Sequence, residues 1–145
     1  MMNGRMIFNH RYRLTTMTVL LEMVLLAVQY ILGMWMNLFA VYPTSGFYVM
    51  RAMFDVPNLL PHIMLGFLIG IISIAILFIS LSTRKLYPIL LSAISSVSIL
   101  VAGISGLDFI FGDFVNNDLS YLMSVFFIIS VLSYSFLIYT SERGR

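Results

Sequence analysis

The stretch from Leu59 to Leu81 reads LLPHIMLGFLIGIISIAILFISL and contains no acidic residue, no lysine and no arginine. A helix needs about 20 mostly apolar residues to cross the hydrocarbon core of a bilayer, so this run is long enough to span it. Three further runs of this kind lie at Leu14–Phe39, Leu86–Leu107 and Leu119–Thr140. The sequence therefore predicts an all-α integral membrane protein, with four spans in a single transmembrane domain that covers residues 1–145.

The composition supports lipid as the main solvent of this chain. Hydrophobic residues make up 61% of the 145 residues, charged residues make up 10%, and the mean hydropathy is +1.01. Soluble domains are about 25% charged. The net charge of +2 is too small to indicate a nucleic-acid partner, and the absence of cysteine excludes disulfides and thiolate metal sites.

The basic residues predict the orientation of the four spans. Positive residues near the ends of spans mark the cytoplasmic side. Arg51 alone lies on one side of the predicted topology. The other side carries seven basic residues: Arg5, Arg11, Arg13, Arg84, Lys85, Arg143 and Arg145. We therefore expect a multi-pass protein of the cell membrane with both termini in the cytoplasm. A cleaved signal peptide is the competing interpretation of the N-terminus, but the first apolar run is too long and lacks a small-residue cleavage site.

The first external connection has a pattern of its own. Phe47, Met50, Met53 and Phe54 recur there at helical spacing. They indicate a short amphipathic helix at the interface, or an ordered loop whose aromatic residues anchor at the depth of the headgroups.

Small and polar residues predict which face of each span turns inward, because helices in lipid associate through close packing and polar contacts. In span 1, Gln29 and Gly33 each lie within about 20° of Glu22 on a helical wheel. The corresponding residues of the other spans are His62, Gly66 and Gly70 in span 2, Ser92, Ser96, Gly103 and Gly106 in span 3, and Ser120, Ser124 and Ser135 in span 4. These stripes predict a compact four-helix bundle.

Glu22 is the first candidate for chemistry, because a charge at the centre of a span costs roughly 2.5–3.5 kcal/mol on insertion scales. It is a candidate proton carrier, with Gln29 as an intermediate in a relay, or a counter-ion for a basic group of a partner subunit. The structural alternative is a carboxyl bonded to a neighbouring serine or tyrosine.

His62 is the second candidate, at the opposite end of the bundle. Pro61 suits the first turn of its helix, and Asn58 is a plausible N-cap. A polar pocket lined by His62, Met36, Asn37 and Asp118 would bind a cofactor such as heme b, or a metal of unknown identity. The structural alternative is an interfacial histidine that bonds a loop carbonyl or Asp118.

Several short motifs resemble those of a group of small four-span prokaryotic membrane proteins: GMWMNLF, YP, PHIMLG, GISGLDF and DLSYLMS. That resemblance implies the topology. The chain is also loosely similar to half-size heme A synthases and cytochrome b561-type bundles, in which histidines near span ends hold heme. Only His62 matches that pattern, because no other predicted span contains a histidine. A bis-histidine heme within the bundle is therefore excluded, and Met–His ligation or a site completed by another chain stays open.

The sequence contains no HExxH, GxSxG, P-loop or GxGxxG motif, which disfavours an enzyme. The leading hypothesis is a non-catalytic accessory or assembly subunit of a larger membrane complex, for example a respiratory one, whose partners are other membrane subunits or further copies of itself. The alternatives are a heme- or metal-binding electron-transfer module that uses His62, and a small transporter or proton-conducting protein that uses Glu22.

Overall fold

The chain forms a bundle of four long helices in the part that the structure describes. The computed structural model describes residues 4–42, 54–112 and 114–143, with side chains for residues 13–42, 54–112 and 114–140. The helices are α1 (Gly4–Phe39), α2 (Leu59–Leu81), α3 (Leu86–Phe111) and α4 (Asn117–Arg143). The interfacial helix predicted around Phe47 to Phe54 falls mainly on residues 43–53, which lie outside the described residues.

All four helices are long and apolar enough to cross a membrane. The candidate spans are Arg13–Phe39, Leu59–Leu81, Leu86–Phe111 and Asn117–Thr140. The four predicted spans are thus confirmed, and three of the helices extend beyond the predicted bounds. Helix α1 begins at Gly4, ten residues before the predicted span. Helix α3 continues past Leu107 to Phe111, so Asp108 is helical, and α4 begins at Asn117 rather than Leu119.

The helices pack in chain order around a ring. Each packs against the next, and α1 also contacts α4, which closes the bundle. Helices α3 and α4 make the most extensive contact. Short connections at residues 82–85 and 112–116 explain the packing of α2 on α3 and of α3 on α4, because helices joined by a few residues pack as antiparallel neighbours. Helices α1 and α2 are joined by the longer connection of residues 40–58.

The distribution of side chains is the inverse of that in a soluble bundle. Among the described residues, buried polar side chains are as numerous as buried apolar ones, and most of them are serines. Large apolar side chains cover the outside of every helix, for example Ile31, Phe67, Ile104 and Phe136. Lipid solvates such an exterior without cost, and polar residues turned inward find partners on neighbouring helices.

Aromatic and apolar residues close the end of the bundle opposite the termini. The ring of Tyr42 stacks on Phe114, with 4.4 Å between their centroids, and meets the edge of Phe109. Met36 and Leu59 are buried in the same cluster. Burial raises the pKa of the Tyr42 phenol above its ordinary value.

The N-cap of α2 differs from the prediction. Asn58 occupies the cap position, but it has a left-handed backbone with φ of 66° and its side chain makes no capping hydrogen bond. Asparagine tolerates this conformation better than most residues. Asn58 therefore acts through the turn that it allows before α2, and its carbonyl accepts the hydrogen bond from the His62 amide.

Candidate functional site

Gln29 of α1 and His62 of α2 form a polar contact between the two helices. The Gln29 Nε2 lies 3.1 Å from the His62 carbonyl oxygen and 3.2 Å from the ring Nε2. The amide must present its NH₂ group, because its Oε1 would repel the carbonyl oxygen at that distance. Two N–H bonds are available, so Gln29 donates to the carbonyl and to the ring together.

Two glycines make this contact possible. A Cβ on Gly33 would lie 3.2 Å from His62 Cε1, and a Cβ on Gly66 would lie 3.2 Å from Gln29 Nε2. The polar side chain of each helix thus packs against a glycine of the other helix. Each glycine lies one turn from the polar residue of its own helix. We call Gln29, Gly33, His62 and Gly66 the glutamine–histidine contact.

Some hydrogen-bond donors and acceptors of Gln29 and His62 have no partner. Because the ring Nε2 accepts from Gln29, the hydrogen of a neutral His62 resides on Nδ1. Both His62 Nδ1 and Gln29 Oε1 are buried and have no hydrogen-bond partner. The contact therefore holds α1 against α2 but leaves one donor and one acceptor unmatched.

Glu22 is completely buried in the bundle interior, and neither of its carboxyl oxygens has a hydrogen-bond partner. The contact of Gln29 with Gly66 fixes the register of α1 against α2. Two helical turns further along, this register leads us to expect Glu22 of α1 opposite Ser73 of α2. An ionised carboxyl here lacks donors, and a neutral one lacks an acceptor for its O–H, so its hydrogen-bonding capacity is unmet in either state.

Serines of the other helices lie at the same depth as Glu22. The Ser96 hydroxyl of α3 donates to the Ser73 carbonyl at 2.9 Å, and the Ser95 hydroxyl lies 3.4 Å from the Ser130 carbonyl of α4. We call Glu22, Ser73, Ser95, Ser96 and Ser130 the Glu22 layer. All five are buried, so this layer forms a polar section through the middle of an apolar bundle.

Tyr134 of α4 is a second buried titratable residue in the bundle interior. It is fully buried in the same core cluster as Val19 and Leu26, which flank Glu22 on α1, and its hydroxyl has no hydrogen-bond partner. Sequence reasoning missed Tyr134, because a tyrosine in a span is more often an interfacial anchor. Its position three residues from Leu137 and four from Ser130, both buried, is the signal that could have revealed it.

Apolar residues enclose the Glu22 layer on both sides. One turn toward His62, the far apolar layer consists of Leu26, Ile69, Ile99 and Phe127. One turn toward the chain termini, the near apolar layer consists of Val19, Ile76 and Leu137. Helix α3 contributes the buried Ser92 at that depth, and Thr15 and Ser80 are buried further toward the termini, so the near side of the site is partly polar.

The interhelical bond of Ser96 gives a test of the packing. We expect Ser96→Ala to lower the free energy of unfolding by about 0.6 kcal/mol, the average for such bonds in membranes. Ser135→Ala is the matched control, because Ser135 is exposed and bonds only the Val131 carbonyl of its own helix. Thermal unfolding in detergent measures both. Equal midpoints for the two variants would contradict a packing role for Ser96.

The other residues of the predicted cofactor pocket differ in exposure. Met36 is buried in the aromatic cluster, whereas Asn37 and Asp118 are exposed. Among the predicted site residues, Gln29 and His62 contact each other. In residues 13–42, 54–112 and 114–140, no three histidine or acidic side chains come together in a way that could hold a metal ion.

The geometry does not fit a heme on His62. The ring packs against Gly33, its Nε2 receives the Gln29 amide, and its Nδ1 is buried. No other histidine lies in a span to supply the opposite axial ligand. Heme ligation would require Gln29 to leave and α1 to move away from α2, so the structure lends it no support.

Comparison of the chain with protein-family models, with curated proteins and with solved structures gives no match. The functional argument therefore depends on the geometry alone.

Proposed function

We propose that this chain is a membrane protein that takes up and releases a proton at Glu22. The observation that carries the proposal is a fully buried carboxyl whose two oxygens have no hydrogen-bond partner. Ionisable residues inside the membrane are expensive and mark proton paths or ligand sites. Most unpaired buried polar groups call for an explanation beyond packing, and a function in proton transfer supplies one.

The charges of the chain favour a proton over a fixed counter-ion. No lysine or arginine lies between Leu14 and Met50 or between Leu86 and Glu142, and Arg84 and Lys85 stand at the end of α2, outside the spans. A basic group of a partner subunit would have to enter this bundle, because Glu22 has no surface outside it. The Glu22 carboxylate is therefore neutralised by a proton, or its charge is balanced by a small cation.

The cell membrane, with both termini in the cytoplasm, is the proposed location. The distribution of the basic residues supports it, because seven of the eight lie near the span ends on the side of the termini. In that orientation Glu22 lies in the cytoplasmic half of α1, and the glutamine–histidine contact lies toward the opposite face of the membrane.

Labelling with dicyclohexylcarbodiimide tests the proposal. This reagent partitions into lipid and adds to neutral carboxyls, so it reports the protonated form. We expect mass spectrometry to find the label on Glu22 in the protein reconstituted in liposomes. We expect the rate to fall as the pH rises, because Glu22 then loses its proton to water.

The chain contains its own control for this experiment. Glu142 is the only other glutamate and follows the last candidate span, so its peptide should stay unlabelled. Labelling of Glu22 at a rate independent of pH would show a proton that never exchanges, and labelling of neither glutamate would show a Glu22 that is always charged. Either result would contradict the proposed function.

A role as an accessory or assembly subunit of a larger membrane complex is the second candidate. Helix α1 favours it, because this helix carries Glu22 and yet buries the smallest share of its span, while α3 buries the largest. Its free face, which includes Leu20, Val24 and Ile31, is covered by lipid or by another subunit. Gentle extraction from the native membrane tests this candidate: co-eluting membrane subunits would support it, and a lone monomer would contradict it.

A further inference from the structure

We infer that the Glu22 layer binds a sodium ion in competition with the proton. This inference rests on the proposed function of Glu22 and names a second occupant of the same site. Three properties of the described residues carry it: the chemistry of the free atoms, the charge balance and the enclosure.

The unused atoms around Glu22 are oxygens. Both Glu22 carboxyl oxygens and the Tyr134 hydroxyl are buried without a partner. Ser73, opposite Glu22 in the register, donates its hydroxyl hydrogen to the Gly70 carbonyl at 2.8 Å, so the lone pairs of its oxygen face elsewhere. Carboxylate, hydroxyl and carbonyl oxygens are the ligands that hard cations prefer, whereas softer metals require nitrogen or sulfur.

The charge of the site selects a monovalent ion. Glu22 is the only acidic residue between Leu14 and Phe54, and the spans of α2 and α4 contribute none at its depth. One carboxylate and one monovalent cation give a neutral pair, which an apolar bundle tolerates. A divalent cation would leave an uncompensated positive charge in the interior, at a cost of several kcal/mol.

The packing around Glu22 requires the ion to be small and to lose its hydration shell. The far and near apolar layers border Glu22 on both sides, with the buried Ser92 beside the near layer, and protein interiors leave few voids larger than a water molecule. Sodium replaces the proton only by exchanging its hydration shell for the oxygens of Glu22, Tyr134 and Ser73.

Protection against carbodiimide tests the inference. At a fixed pH and ionic strength, we expect NaCl to slow the labelling of Glu22 relative to choline chloride, because a bound sodium ion displaces the reactive proton. The expected effect is about tenfold when the salt concentration is about ten times the dissociation constant. Choline is too large for the site and controls for ionic strength.

A tyrosine pair shows whether the protection comes from this site. Tyr134→Phe removes one oxygen of the site, so we expect it to weaken the protection by NaCl while Glu22 is still labelled. Tyr139→Phe is the matched control on the same helix, because Tyr139 is half exposed, and it should keep the full protection.

The outcomes separate this inference from the proposed function. Labelling of Glu22 that depends on pH but is equal in NaCl and choline chloride would overturn the sodium site and leave the proton site in place. Equal protection in Tyr134→Phe and Tyr139→Phe would also overturn the site as described. Protection that Tyr134→Phe weakens and Tyr139→Phe retains would establish it.

Discussion

Gly66→Leu is expected to separate α1 from α2. The first atom of the new side chain would already lie 3.2 Å from the Gln29 amide nitrogen, and the rest of the leucine has to occupy the space of that amide. Overpacking of this kind costs about 1–3 kcal/mol. Displacement of Gln29 also breaks both of its bonds to His62. We therefore expect a clear fall in the thermal midpoint in detergent, and slower disulfide formation between a pair of cysteines introduced into the facing sides of α1 and α2.

Gly103→Leu is the control for this prediction. A Cβ at Gly103 meets no atom within 4 Å, and the residue is exposed on the outside of α3. Leucine is a better helix former than glycine, so this variant should be as stable as the parent or slightly more stable. If the two leucine variants unfolded at the same temperature, the close approach of α1 and α2 at Gly66 would be wrong.

Glu22→Leu is expected to stabilise the protein while it abolishes carbodiimide labelling. A buried polar group without a partner costs roughly 1–3 kcal/mol relative to an apolar one. Leucine removes that cost and packs against Val19 and Leu26, which are buried on the same side of α1. A gain of stability on removal of a residue is typical of functional groups that are kept at the expense of folding.

Glu142→Leu is the comparison for this variant, because it removes the other glutamate from outside the candidate spans. We expect no change in the labelling of Glu22 when Glu142 is replaced. A lower midpoint for Glu22→Leu than for the parent protein would show that the carboxyl holds the bundle together. That result would favour a structural role over proton uptake.

The four helices were predictable from the sequence because lipid demands long apolar runs, and such runs stand out from a few polar connections. The inward face of α1 was predicted as well: Glu22 is buried, and Gln29 and Gly33 both contact His62. The end of α3 was harder to place. A helix can continue into the interfacial region through a residue such as Asp108, which is exposed there.

The inward face of α4 was predicted wrongly from its serines. Ser124 and Ser135 are exposed, whereas Ser130, Ser133 and Tyr134 are buried. The physical reason is that a serine in a helix can satisfy its hydroxyl within its own helix. Ser124 donates to the Ser120 carbonyl and Ser135 to the Val131 carbonyl, so both hydroxyls can face lipid. Buried serines do the same, since Ser73 donates to the Gly70 carbonyl and Ser130 to the Phe127 carbonyl. A serine in a span therefore does not by itself mark the inward face.

The pairing of Gln29 with His62 also lay beyond the sequence. The spacing on α1 showed that Gln29 faces inward, but the contact depends on the register between two helices. Gly33 and Gly66 set that register through their close approach to the opposite side chains. The orientation of the termini relative to the membrane stays a prediction from the basic residues.

Infrared spectroscopy of the reconstituted protein in H₂O and in D₂O tests the central claim most directly. A neutral carboxyl in an apolar interior has a distinct C=O stretching band, which shifts when its proton is replaced by a deuteron. We predict such a band in the parent protein and in Glu142→Gln, its loss in Glu22→Gln, and its shift in D₂O because Glu22 exchanges its proton with water. A band that Glu22→Gln retains, or that D₂O leaves unshifted, would contradict proton uptake at Glu22.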